Sequence, residues 1–186
     1  MKNKRLMGII GLIAAAVIGT AIYSATAGKD NKAATSNEKA KVGVLQLVSH
    51  PSLDLIYKGI QDGLAEEGYD KDKVDIDFLN AEGDQNKVAT MSKQLVDKDN
   101  QVLIGIATPS AQGLASATKD KPIVMGAVTD PVGANLVKDL KKPGGNITGV
   151  SDHNPTEQQL KLIKELTPNV KTIGVLYSTS EDNSKS

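Results

Sequence analysis

Cysteine is absent from the 186 residues, which excludes a disulfide framework, a thiolate metal site and an acylated lipoprotein anchor. Tryptophan is absent too, phenylalanine occurs once, and aromatics make up 3% of the chain. A sugar site ordinarily needs aromatic platforms, and almost none are available. Charge of one sign is also missing, because 22 basic residues balance 22 acidic ones. Three of the basic residues (Lys2, Lys4 and Arg5) stand among the first 27 positions, which hold no acidic residue. The remainder is therefore at about −3, which argues against nucleic acid as a partner. Three motifs are lacking: a G-x-S-x-G elbow, a P-loop, and a G-x-G-x-x-G after a strand. Their absence weighs against a hydrolase, a nucleotide enzyme and a dinucleotide cofactor, and no cofactor is expected. His50 and His153, the two histidines, lie far apart without a patterned third ligand, so they read as loop residues rather than a metal site.

What is present begins with a leader. The basic n-region is followed by an apolar run from Leu6 to Ile22 and an A-x-A pattern in Ser24-Ala25-Thr26-Ala27. Residues 1–27 therefore read as a signal peptide or an N-terminal membrane anchor. The apolar run exceeds an ordinary signal core and approaches the length of about 20 residues that spans a bilayer. The location expected is extracytoplasmic: at the outer face of the cell membrane through the anchor, or secreted after cleavage. Residues 28–40 are polar and aperiodic and read as a flexible linker.

From Lys41 on, apolar strands alternate with helical patterns. Strands are expected at Lys41–Val48, Val74–Leu79, Val102–Ala107 and Pro122–Val128, with a short one at Ile147–Val150. Val74–Leu79 alternates apolar residues with Asp75 and Asp77, as an edge strand would, whereas Val102–Ala107 is apolar on both faces, as a central strand would be. One helix is expected up to the stop at Gly68, with Leu53, Ile56, Ile60 and Leu64 inward and Asp54, Lys58, Asp62 and Glu66 outward. A second runs from a cap at Asp84 to Asp97, a third starts near Ala111, and a fourth covers Thr156–Leu166. Val132–Val137 suggests a short helical turn, and Lys141-Lys142 a solvated turn. Thr172–Tyr177 reads as one more apolar strand with nothing after it to cover both faces. The fold class expected is α/β, a doubly wound parallel sheet: an N-terminal lobe over 41–150, then a crossover and the incomplete start of a second lobe over 151–186.

In an open α/β sheet, ligands bind beyond the carboxyl ends of the strands. Those ends gather Gln46, Ser49 and His50; Thr108, Pro109 and Ser110; Thr129 and Asp130; Ser151 and Asp152. Ser178 follows the last expected strand. Thr108 and Ser110 are N-cap residue types, and a helix N-terminus after a strand offers backbone N–H groups to an anion. A zwitterionic amino acid suits this set, with Thr108, Ser110 and the helix amides for its carboxylate and Asp130 or Asp152 for its ammonium. Either Asp also fits plain turn chemistry. Ser110 has no visible base partner, so no catalytic residue is expected.

The segments VGVLQLVSHPSLDLIYKGIQDGLAEEGY, GIATPSAQGLASAT, PIVMGAVTDPVGANLV, PGGNITGVSD and KTIGVLYSTSEDNS resemble the ABC-transporter substrate-binding proteins of the tryptophan/tyrosine type. TDPVGANLV followed by PGGNITGVS carries most of that resemblance. It implies a type I periplasmic-binding-protein fold, with two α/β lobes closing on a ligand and a crossover near Gly149–Asp152. It implies a small-molecule ligand, most simply an amino acid such as tryptophan or tyrosine, and an ABC permease as membrane partner. The chain departs from many such proteins in lacking a lipobox cysteine. Two other readings stand beside this one: a ligand-sensing receptor ectodomain with the same fold, and an exported α/β hydrolase.

Overall fold

The structure is a computed structural model that describes residues 39–185. The leader and nearly all of the linker lie outside the described residues. Strands and helices alternate as far as β4: β1 (Ala40–Gln46), α1 (Pro51–Glu66), β2 (Val74–Asn80), α2 (Gln85–Asp97), β3 (Val102–Ile106), α3 (Thr108–Ala117), β4 (Ile123–Gly126), then β5 (Ile147–Val150), α4 (Thr156–Leu166) and a short 3-10 turn (Asp182–Lys185). The strands form one parallel sheet in the order β2-β1-β3-β4-β5. The edge position of β2 and the central position of β3 match the polarity of their sequences. Asp75 and Asp77 mark the outer strand, whereas all five residues of β3 are buried.

Side-chain alternation divides the core into two layers. Val42, Val44, Val102, Ile104, Ile106 and Val124 face α1, where Ile60 and Leu64 are buried with them. Leu45, Leu103, Ile123 and Met125 face the other way, against Val88 and Leu95 of α2 and Ala111 and Leu114 of α3. Helices thus cover both sides of the sheet, the doubly wound arrangement expected.

Local chemistry fixes the helix ends. Asp84 Oδ1 accepts the N–H groups of Asn86 (2.7 Å) and Lys87 (3.4 Å) at the start of α2. Gly68 ends α1 at φ 84°, and two backbone bonds close the turn: Gly68 N–H to Ala65 O (3.0 Å) and Tyr69 N–H to Leu64 O (2.8 Å). This is a Schellman closure, for which glycine takes the left-handed position.

Three expectations need correction. Helix α3 begins at Thr108, not near Ala111, because Ala107 adopts the cap conformation (φ 76°, ψ 157°) and the helix starts directly after it. Thr108 and Ser110 therefore lie inside the first turn, and neither side chain caps it. The third concerns Thr172–Tyr177, which is not a strand. Its alternation is real, but a strand needs a hydrogen-bonded neighbour, and none of the described residues pairs with it. Val175, Leu176 and Tyr177 are accordingly exposed, as are Leu160 and Leu166 on the apolar stripe of α4.

Candidate functional site

The strands end in register. Asn80 pairs with Gln46, Gln46 with Ile106, Ile106 with Gly126, and Gly126 with Val150. These five residues form one row across the sheet, and every following loop leaves from the same level. That shared rim brings together residues from far apart in the sequence.

At its centre, α3 rises from β3 at unusually close range. A Cβ at Gly105 would stand 2.7 Å from both the Cα and the N of Ala111. Only glycine lets the helix start this close over its own strand. Ala107 makes the turn with φ 76° and ψ 157°, a region populated almost solely by glycine. Its N–H is held by Gly126 O at 2.9 Å, and its carbonyl accepts the N–H of Ala111 at 3.2 Å. The amides of Thr108 and Ser110 precede that first helical bond. Glu82 (φ 53°) after β2 and Ala127 (φ 53°) after β4 add two more left-handed, non-glycine residues along the same rim. Strain of about 1–3 kcal/mol per residue persists where surrounding structure enforces it, and it concentrates at binding sites.

Three buried side-chain atoms at this rim lack partners: Thr108 Oγ1, Ser110 Oγ and Gln46 Oε1. Thr108 is 2% exposed, and Ser110 and Gln46 are 0% exposed. An unmatched buried polar group costs about 1–3 kcal/mol. Ser92 Oγ and Asn183 Oδ1 are likewise buried without a partner, but neither follows a strand end. Each such group calls for an explanation, and a ligand's polar atoms are one. A surface concavity of about 650 Å³ along α2, lined by residues between Ala89 and Lys98, has no such groups among its lining residues.

The other expected residues take these places. Ser49 stands at the β1 exit, where its Oγ accepts a hydrogen bond from Asn80 Nδ2 at 3.0 Å. His50 caps α1, its Nδ1 accepting the N–H of Ser52 at 3.3 Å. Pro109 occupies the first turn of α3, where no N–H is required. Asp130 closes the turn after β4: its Oδ1 accepts the N–H of Gly133 at 2.9 Å, so one oxygen is committed to the loop. Thr129 and Ser151 are tied together, Ser151 Oγ donating to Thr129 O at 3.1 Å. The backbone of Asp152 reaches Val128 O at 3.4 Å. Ser178 is not on the sheet. Its segment is fastened to α3 through Gln112 Nε2, which donates to Asp182 Oδ2 at 2.9 Å. Among the described residues, no group of three His, Cys, Asp or Glu side chains is placed to hold a metal ion.

Two rim residues escaped the sequence reading. Asn80 links Ser49 to the N–H of Glu82, which its Oδ1 accepts at 2.8 Å. Its signal was its place as a polar residue ending a strand, the same signal that drew attention to Gln46. Asp54 is exposed, as expected of its outward face, and also accepts a hydrogen bond from Gln46 Nε2 at 2.7 Å. Its helical phase gave no hint of that.

Comparison with known proteins agrees with this geometry. A tyrosine-binding protein of Clostridioides difficile (strain R20291) is 44% identical over 193 aligned residues, which take in all of this chain and 55% of that protein. An ABC domain from Streptococcus pneumonia, crystallised in complex with L-Trp, is 78% identical with a TM-score of 0.77, over 80% of this chain and 50% of that one. A conserved domain protein from Vibrio cholerae is 50% identical with a TM-score of 0.77, over 78% and 50% of the two chains. The chain spans about half the length of the relatives it matches. The sheet order and these likenesses converge with a match to the ABC transporter substrate binding protein family over residues 41–186, so the chain belongs to the ABC transporter substrate-binding proteins.

Proposed function

We propose that residues 41–150 are the first ligand-binding lobe of an extracytoplasmic solute-binding protein. It captures an amino acid, most simply tryptophan or tyrosine, and delivers it to an ABC permease. Residues 151–186 are then the crossover and the start of a second lobe. The protein works outside the membrane, held by residues 1–27 or released after their cleavage, and it binds without catalysing.

One observation carries the reading: the buried, unpartnered hydroxyls of Thr108 and Ser110 at the N-terminus of α3. A carboxylate there accepts both hydroxyls and the first-turn amides, and the helix dipole favours its charge. One strand over, Asp130 keeps Oδ2 available for the ammonium while Oδ1 holds its turn. Asp152 is the alternative acceptor. Thr129, Ser151, Ser49 and Pro109 shape the wall, and Ser178 enters from the second-lobe side. The relatives add support, one being a tyrosine-binding protein and another crystallised with L-Trp.

The test is calorimetry with L-tryptophan and L-tyrosine on this chain fused to the second half of the Streptococcus relative. Asp130→Asn removes the charge and keeps the shape, so affinity should fall about ten- to a hundred-fold. Thr108→Val should cost only about 0.5–1.5 kcal/mol, because the amides remain. An unchanged Kd for Asp130→Asn moves the ammonium to Asp152 or to the second lobe. An unchanged Kd for Thr108→Val removes the carboxylate from α3.

A further inference from the structure

Gln46 is 0% exposed, yet only half of its amide is satisfied. Its Nε2 donates to Val48 O at 2.9 Å and to Asp54 Oδ1 at 2.7 Å. Both partners are acceptors, so the nitrogen must face them and the amide cannot be reversed. Both amide hydrogens are thereby used, and Oε1 is left as a buried acceptor without a partner. Val48 lies beyond the end of β1 and Asp54 in the first turn of α1, so the amide sits at the level of the loops that leave the sheet rim.

We propose that Gln46 Oε1 accepts a hydrogen bond from the donor at the far end of an aromatic ligand side chain, an indole N–H or a phenol O–H, and that Asp54 is the positioning residue that turns it there. The inference rests on the amino-acid reading and goes one step beyond it, to selectivity. Sheet order supplies the layout. With the carboxylate over β3 and the ammonium over β4, the side chain extends toward β1. Neighbouring strands are about 4.8 Å apart, so Gln46 stands one strand from the carboxylate and two from Asp130, within reach of an aromatic side chain's tip. An acceptor already buried and unmatched gains a hydrogen bond only from a ligand that brings a donor, and that gain is the selectivity. Phenylalanine is such a ligand.

The experiment is NMR titration of the ¹⁵N-labelled full chain with L-tryptophan, L-tyrosine and L-phenylalanine up to millimolar concentration. The Gln46 side-chain NH₂ pair and the amides of Thr108 and Ser110 are followed. The expected result is binding of tryptophan or tyrosine about tenfold tighter than phenylalanine. Gln46→Met should reduce that preference to about twofold or less by weakening tryptophan and tyrosine binding. Asp54→Ala should do the same and speed solvent exchange of the Gln46 NH₂ protons. Asp54→Asn, which keeps an acceptor and loses the charge, should restore both. A helix-dipole role for Asp54 would make Asn behave like Ala, and that outcome overturns its positioning role. A preference that survives Gln46→Met, or equal affinity for phenylalanine in the unmodified chain, overturns the selectivity inference and leaves amino-acid binding standing. If no amino acid perturbs the α3 amides, the functional reading falls and this inference falls with it.

Discussion

Replacing Gly105 with alanine adds one methyl group between β3 and α3, and the structure says how much room it has. The new carbon would lie 2.7 Å from Ala111 Cα, 2.7 Å from Ala111 N and 3.1 Å from Ser110 C. Carbon atoms rest at about 3.5–4.0 Å, so α3 must retreat from β3 by roughly 1 Å. The obstructing atoms are backbone and cannot rotate away. The helix also carries Ala111 and Leu114, both 0% exposed, which must move with it. Overpacking costs about 1–3 kcal/mol, and a backbone obstruction places this case in the upper half, about 2–3 kcal/mol. That corresponds to a fall in Tm of roughly 6–12 °C for a domain of this size. Gly126→Ala on the adjacent strand is the internal control: its nearest neighbour would be Ile56 Cγ2 at 3.5 Å, an ordinary contact. It should change stability by no more than about 0.5 kcal/mol. Urea unfolding monitored by circular dichroism decides the matter. Equal shifts for the two variants, or a loss below 0.5 kcal/mol for Gly105→Ala, would refute the close-approach argument.

Two further measurements follow from helix α2 and the α1–β2 face. Asp84→Ala removes the cap of α2 and should destabilise the chain by about 1 kcal/mol in urea unfolding, while Asp84→Asn should cost a few tenths. Tyr57 stacks against Phe78 with ring centroids 4.3 Å apart, and burial raises its phenol above the usual value. The folded state therefore prefers the neutral phenol. This contribution is complete below about pH 10, where the unfolded phenol ionises, and is lost as pH rises through the higher folded value. Comparing urea midpoints from pH 8 to 11, the unmodified chain should lose more stability than Tyr57→Phe. Parallel curves would show that the phenol does not contribute.

Most of the fold was legible because apolar periodicity and local signals agreed. The edge character of β2 lay in Asp75 and Asp77, the central character of β3 in its unbroken apolar run, and the α2 start in Asp84. The start of α3 was not legible. Thr-Pro-Ser reads as a capping segment, and only the backbone of Ala107, forced by the tertiary structure, shows that the helix begins earlier. Thr172–Tyr177 misled for a related reason, since alternation records what a segment would do beside a partner and cannot supply one. At the candidate site, the strand-end rule pointed to Gln46, Thr108, Ser110 and Asp130, and the structure has them at or just beyond strand ends. It could not reveal which of their atoms lack partners, because that depends on long-range contacts. The Gln46–Asp54 bond joins the end of a strand to the next helix's first turn, and no periodicity encodes it.

The position of β1 has a consequence for how the chain assembles. It pairs with β2 on one side and β3 on the other, although β3 comes later in the chain than both β2 and α2. While the polypeptide is being made, β1 can zip only to β2. Its second edge, with bare N–H and C=O groups, must wait until Val102 to Ile106 is available. Pairings between distant segments form slowly, and an open strand edge is a hazard while it lasts. The strand-end rim has the same dependence, because its row of residues is drawn from all five strands. A partly formed sheet therefore lacks part of that rim, and a ligand held as proposed would stabilise only chains that have completed every pairing.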